Sequence, residues 1–213
     1  MKRTHSYSSL KKWVTCPRHY QHQYVLKTIQ FHTTPALERG NRVHKALEDA
    51  VKGDNTLLDK ENVWVPPNLV QTLQASDAVP ENKLAIDAYG QPVDFWDKSA
   101  VLRGAIDVDL TAPRANRSVM VDWKTGKVYP DAMQADCYAA MKRAELPGAA
   151  VDFYFVYVDQ KQKVNERPDQ KAYDRVMALI ERVEADDTYV PNPCFACRFC
   201  PVSSCEYNQN PEA

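Results

Sequence analysis

The 213-residue sequence predicts an α/β chain, on three observations. Val151 to Val158 is rich in β-branched and aromatic residues and reads as a strand. Val101 to Leu110 and Ser118 to Thr125 read as a strand pair joined by the polar segment TAPRANR. Around these runs, apolar residues recur at helical period, after Pro35 (Ala36, Leu37, Val43, Leu47, Val51) and after Pro130 (Met133, Cys137, Met141, Ala144).

Ser6 to Ser9 offer N-cap hydroxyls for a first helix through Leu10, Trp13 and Val14. Pro17 disfavours helix at Cys16 and breaks it, and a second helical piece runs from Arg18 to Leu26. Pro35 opens the next helix, which ends at Gly53. Residues 54–80 have no clear period and read as a long excursion. Leu84 to Asp87 is a strand ending at the turn Tyr89-Gly90. After the strand pair, the Pro130 helix stops before Pro147-Gly148, and Ala172 to Val183 alternates at helical period. The last segment, PNPCFACRFCPVSSCEYNQN, is dense in cysteine.

A chain of this length suits one medium domain with a real core. Its net charge of -1 gives no global pull toward nucleic acid or membrane, so a DNA partner needs basic residues gathered locally. The opening MKRTHSYSSLKKW lacks an apolar stretch and is not read as a secretory signal. The longest apolar run, Ala149 to Val158, is interrupted by Asp152 and too short to span a bilayer. The expectation is therefore a cytoplasmic, reducing setting with no membrane partner. There, six cysteines are better suited to metal binding or burial than to disulfides.

The chemistry is concentrated around SVMVDWKTGK. On a strand, Asp122 and Lys124 point to one side and Trp123 to the other. The preceding strand adds Asp107 and Asp109, again on a shared face. Carboxylates with room for waters suit Mg²⁺, and a neighbouring lysine can steady charge developing on a phosphate. Alone, Asp122-x-Lys124 is as well read as a surface ion pair worth about 0–1 kcal/mol. The context of Gly104-x-x-Asp107 before it, and of Gln134 and Tyr138 on one helix face after it, favours a site.

Taken in order, these motifs resemble the RecB-like branch of the PD-(D/E)XK nuclease superfamily. Gly40-Asn41-Arg42-Val43-His44 resembles that branch's helical histidine motif, and Ser8, Cys16-Pro17 and Tyr20 its N-terminal signature. The resemblance implies a restriction-endonuclease-like core, a central mixed β-sheet flanked by helices. It also implies N-terminal helices and a C-terminal Cys-rich segment stapled by a metal cluster. The implied arrangement is a single domain over 1–213, with N-terminal helices at 1–30, the core at 31–190 and the Cys-rich segment at 191–213. His44, Asp107, Asp122 and the Trp123 carbonyl would hold Mg²⁺ or Mn²⁺, and Lys124 would serve the attacking water. Asp107, Asp122 and Lys124 would be catalytic, and Gln134 and Tyr138 would contact DNA. Ile106 stands where the superfamily name has Pro, a departure common in this branch. Asp109 is a rival to Asp107, and Glu81 a supporting acid.

Cys194, Cys197, Cys200 and Cys205 could make a tetrahedral zinc site or join a [4Fe–4S] cluster. Iron–sulfur members of the branch, the AddB-type nucleases and the CRISPR-adaptation exonucleases, take one cysteine before the core and three after it. That pattern implies Cys16, Cys197, Cys200 and Cys205, with Cys194 as an alternate. Such a cluster would tie the N-terminal helix to the C-terminus. Cys137 reads as a small buried residue.

Lys2, Arg3, Lys11, Lys12, Arg18, Arg39, Arg42, Arg103, Arg114, Arg117 and Lys127 flank the motifs and could line a DNA groove. Tyr20, Tyr24 and Trp13 could stack on unpaired bases. No Walker motif is present, which excludes an ATP-driven helicase in this chain. The leading expectation is a metal-dependent DNA exonuclease acting on single strands or ends. Recombination, repair, phage DNA metabolism and CRISPR adaptation are the settings that the resemblance implies, and they would supply any protein partner. A catalytically silent DNA-binding module of the same fold is the alternative, and a zinc–cysteine interaction module a third reading.

Overall fold

The computed structural model describes residues 3–29 and 33–210. Packing divides the chain into two units, one built from residues 33–176 and one from the chain segments on either side. Lys2, among the expected DNA-contacting cations, lies outside the described residues.

In the end-segment unit, Ser6 caps helix α1 (Tyr7–Thr15). The Ser9 N–H donates to Ser6 Oγ at 3.3 Å, and the Ser6 N–H to Ser9 Oγ at 2.9 Å. Cys16 is extended, and Pro17 opens the short α2 (Pro17–Tyr20). A single helix from Arg18 to Leu26 was expected. Instead the chain widens after Tyr20 into a π-turn, Gln21–Val25. Tyr20 is buried, its ring 5.3 Å from Tyr24 and 6.4 Å from Tyr189, so it offers no face to a base. Trp13 is likewise engaged, donating to Asp186 at 2.8 Å beneath the Arg182 guanidinium. The Cys-rich segment contains one 3₁₀ turn, Phe195–Phe199.

In the central unit, Thr34 accepts from the Leu37 N–H at 3.2 Å and Pro35 opens α3 (Pro35–Val51). Residues 54–80 are not a featureless excursion. They contain α4 (Thr56–Glu61) and α5 (Leu69–Gln74), each bounded by an asparagine in the left-handed region, Asn62 and Asn68. Helices this short span under two turns and leave no readable period.

Five strands form one sheet in sequence order: β1 (Val79–Asp87), β2 (Ala100–Ala112), β3 (Arg117–Lys124), β4 (Ala150–Tyr157) and β5 (Gln162–Glu166). Neighbours are antiparallel except β3 and β4, which are parallel and connected through α6 (Ala132–Glu145), making the sheet mixed. β5, unexpected from sequence, is a polar edge strand, QKVNE, with no alternating apolar signal. Val43, Leu47 and Val51 of α3 pack with Val108, Val121, Trp123 and Val156 in one core cluster. A last helix, α7 (Ala172–Ala185), follows β5. No helix among the described residues is long and apolar enough to cross a membrane.

Asp109, the rival to Asp107, is engaged elsewhere. Asp109 is buried and accepts from Lys142 Nζ at 2.7 Å, Asn82 at 2.8 Å and Ser118 at 2.8 Å. It is a structural acid, which leaves Asp107 as the acid available to a site.

Candidate active site

The β2–β3 pairing runs between Val108–Ala112 and Arg117–Val121. Beyond it β2 remains paired with β1, and β3 with β4, so the two strands part as a fork. Asp107 and Asp122 flank that opening. The Trp123 N–H, without a β2 partner there, donates to Asp107 Oδ2 at 2.7 Å. The N–H and C=O of one strand residue point to the same edge, so the Trp123 carbonyl also faces the fork. Its indole is buried in the α3-side core, opposite in sense to Asp122, as the alternation predicted.

Asp122 is 5 % exposed. Gln134 Nε2 of α6 donates to its Oδ1 at 2.6 Å. Lys124 Nζ lies 2.6 Å from Oδ2, off the hydrogen-bonding direction, so that buried oxygen has an ionic neighbour but no hydrogen bond. Burial raises the Asp122 carboxyl to about 6, against the opposing pull of the Lys124 ammonium.

His44 projects from α3, and its Nδ1 is 3.2 Å from Asp107 Oδ1. Burial disfavours its charged ring, but the hydrogen bond to Asp107 and the charges of Asp107 and Asp122 outweigh this and raise its pKa. Gly40, Asn41, His44 and Thr125 line an open groove of about 400 Å³ beside this helix.

Gln134 and Tyr138, expected on DNA, are both buried in the protein. Gln134 holds Asp122, and the Tyr138 hydroxyl donates to the Ala105 carbonyl at 2.5 Å. Gly104 makes the second contact possible, since a Cβ there would lie 3.0 Å from Tyr138 Cε1 and 3.3 Å from Met141 Cε. Gly104→Ala is expected to cost about 1–3 kcal/mol in urea unfolding, through displacement of Tyr138.

Glu81 belongs to the site more closely than its sequence position suggested. Flanked by the pairs Pro80↔Val108 and Asn82↔Ile106, it sits across from Asp107. Its backbone is left-handed, with φ 50°, a costly conformation for glutamate that often marks functional sites. It makes no hydrogen bond or ion pair among the described residues. Partial burial, then the charges of Asp107 and Glu48, hold its carboxyl above the usual range. A Pro-Glu pair at the start of a strand gave only a weak sequence signal.

Several expected DNA-groove cations have carboxylate partners instead. Arg39 forms a bidentate pair with Asp159 at 2.9 and 2.6 Å, and Arg42 pairs with Glu61 at 3.3 Å. Arg103 stacks on two aromatic rings.

In the end-segment unit, Cys16, Cys197, Cys200 and Cys205 line one pocket together with His19, while Cys194 is exposed and outside that lining. His19 Nδ1 is 3.9 Å from Cys200 Sγ. Burial, followed by the neighbouring Cys16, Cys205 and Cys197, raises the Cys200 thiol. Cys137 is buried in α6, and burial pushes its thiol far up.

No curated protein matches the chain. It is similar in fold to SSO0001, a protein of known crystal structure, with a TM-score of 0.61 over 99 % of this chain and 89 % of that one, at 17 % identity. The sequence profile described as the PD-(D/E)XK nuclease superfamily matches residues 4–205, through both units. By that match, over nearly its whole length, the chain belongs to the PD-(D/E)XK nuclease superfamily.

Proposed function

We propose that this protein is a divalent-metal-dependent DNA nuclease, an exonuclease acting on single strands or ends. In this reading Asp107, Asp122 and Lys124 are catalytic, and His44, Asp107, Asp122 and the Trp123 carbonyl are donors to Mg²⁺ or Mn²⁺. The supporting observation is the buried Asp122 carboxylate, whose Oδ2 lacks a hydrogen bond beside the Lys124 ammonium. The Lys124 ammonium balances that charge only in part, since burial still raises the Asp122 carboxyl to about 6. The preference for single strands or ends rests on the resemblance.

Members of the superfamily generally use Mg²⁺ or Mn²⁺. Among the described residues, no three His, Cys, Asp or Glu side chains stand close enough to cage an ion alone. The donors at the fork suit Mg²⁺ nonetheless, because Mg²⁺ is commonly held by one or two carboxylates and keeps several waters. An ion held by His44, Asp107, Asp122 and the Trp123 carbonyl would supply polarisation of a phosphodiester oxygen and a more acidic water. This chain's side chains do the rest. Gln134 fixes the Asp122 carboxylate, the Trp123 amide fixes Asp107, and Lys124 orients the attacking water and steadies charge on the phosphate. Glu81, at the mouth, adds an acid that can hold a water.

The test is degradation of end-labelled single- and double-stranded DNA in Mn²⁺, with the label moved between termini to read polarity. Wild type should degrade DNA and stop on chelation. Equal degradation by wild type and Asp122→Ala would assign the activity elsewhere. No degradation of any substrate would favour the silent DNA-binding module.

The same proposal extends to a [4Fe–4S] cluster on Cys16, Cys197, Cys200 and Cys205. Their shared pocket supports it, and the exposed Cys194 is the weaker candidate. A tetrahedral zinc site on the same cysteines is the alternative. Anaerobically purified protein should be brown and contain iron, and Cys16→Ala should lose both colour and thermal stability. One equivalent of zinc in colourless protein would overturn the iron assignment.

A further inference from the structure

The loop between β1 and β2 carries an exposed indole that the fold holds still. Trp96 is 71 % exposed, yet the Arg103 guanidinium lies 4.5 Å from its ring centroid. Phe95 meets it edge-on, with centroids 4.9 Å apart and planes at 88°. Arg103 is itself anchored, donating from Nη1 to the Phe95 carbonyl at 3.4 Å, and Lys83 sits over the Phe95 ring at 5.6 Å. A large apolar ring braced this way but left open to water is pre-organised for a flat ligand, because little motion remains to be lost on binding.

We propose that Trp96 is a stacking platform for an unpaired base of the DNA strand being cut, with Arg103 bracing the ring. The proposal rests on the nuclease reading and specifies a strand-binding subsite for it. Placement on the chain supports this occupant. Arg103 lies on β2 four residues before Asp107, about 13 Å along the strand at ~3.3 Å per residue. That spans a few nucleotides at most, since even a stacked duplex strand advances ~3.4 Å per nucleotide and an unpaired one more. Stacking tolerates any base, since each presents a π-face. Asp97 is fixed by the Ser99 N–H and hydroxyl at 2.7 and 2.6 Å, so a strand crossing Trp96 meets a fixed acid on that side of the loop. Lys83 and Arg103 leave cationic character beside the ring.

The test measures binding of a fluorescent oligothymidine of about 12 nucleotides in EDTA, where no cleavage occurs. Trp96→Ala should weaken binding about 5- to 100-fold, Trp96→Phe should retain most of it, and duplex binding should change little. A strand of the same length made of abasic sugars has no base to stack, so its affinity should be equal for wild type and Trp96→Ala. Equal binding of oligothymidine by both proteins overturns the platform, and Mn²⁺-dependent cleavage by the same wild-type preparation shows the nuclease reading intact. Parallel losses on oligothymidine and abasic strands also overturn it, as does selective loss of a protein ligand with strand binding unchanged. Wild type that neither binds nor cleaves any DNA overturns the nuclease reading and the platform with it. Matching melting temperatures for wild type and variants exclude unfolding as the cause.

Discussion

Asp122→Asn is expected to lower DNA cleavage by about 10³-fold while leaving the protein at least as stable as wild type. The amide keeps the shape of the carboxylate, and its Oδ1 can still accept from Gln134. What it removes is a negative charge at a buried position that lacks a full set of partners. Burial penalises that charge in the absence of a divalent cation, so its loss should relieve the fold rather than weaken it. Lys124→Ala should also lose cleavage strongly, about 10²- to 10³-fold, because the ammonium beside Asp122 is the nearest cation for charge developing on the phosphate. Thermal melting without divalent metal, run beside the cleavage assay, separates the roles. A steep drop in melting temperature for Asp122→Asn would mean that the carboxylate is structural.

Lys142→Ala is expected to produce the largest loss of stability, about 3–5 kcal/mol by urea unfolding. It strands Asp109, which is 2 % exposed and keeps only neutral donors from Asn82, Ser118 and Thr111. Burial works against the Lys142 ammonium, but the hydrogen bond and charge of Asp109 prevail and raise its pKa. The lysine's contribution is therefore complete below the ordinary lysine pKa of about 10.4 and fades only as pH climbs through the higher folded value. Replacing both partners with apolar residues should recover much of the loss, since a buried pair stabilises little over well-packed hydrophobes. Full stability of Lys142→Ala at neutral pH would contradict this account.

Much of the candidate site was legible because polar and apolar residues alternate over Val121–Lys124 of β3, so Asp122 and Lys124 separate from Val121 and Trp123 by strand geometry alone. The helical spacing of Gln134 and Tyr138 likewise placed both on the site-facing side of α6, although they bond to the protein rather than stand open to DNA. Asp109 rivalled Asp107 because alternate residues of a strand share a face, and its engagement by Lys142, far ahead in sequence, is a pairing that strand geometry alone does not show. Glu81 was legible only as a supporting acid, and Trp96 not at all. One depends on an unusual backbone angle and the other on a loop whose bracing comes from the next strand. β5 was invisible because an edge strand open to solvent needs few apolar residues.

The alternation on β3 also acts as a proofreading step in folding. A slip of one residue in its pairing would drive Asp122 and Lys124 into the space that Val121 and Trp123 fill, and turn the indole toward the side where Gln134 meets Asp122. Such a misregistered sheet would lose its core and its acids together. Molecules that complete folding therefore carry Asp122 and Lys124 on the face opposite Val121 and Trp123, and a mispaired population has no stable form to occupy.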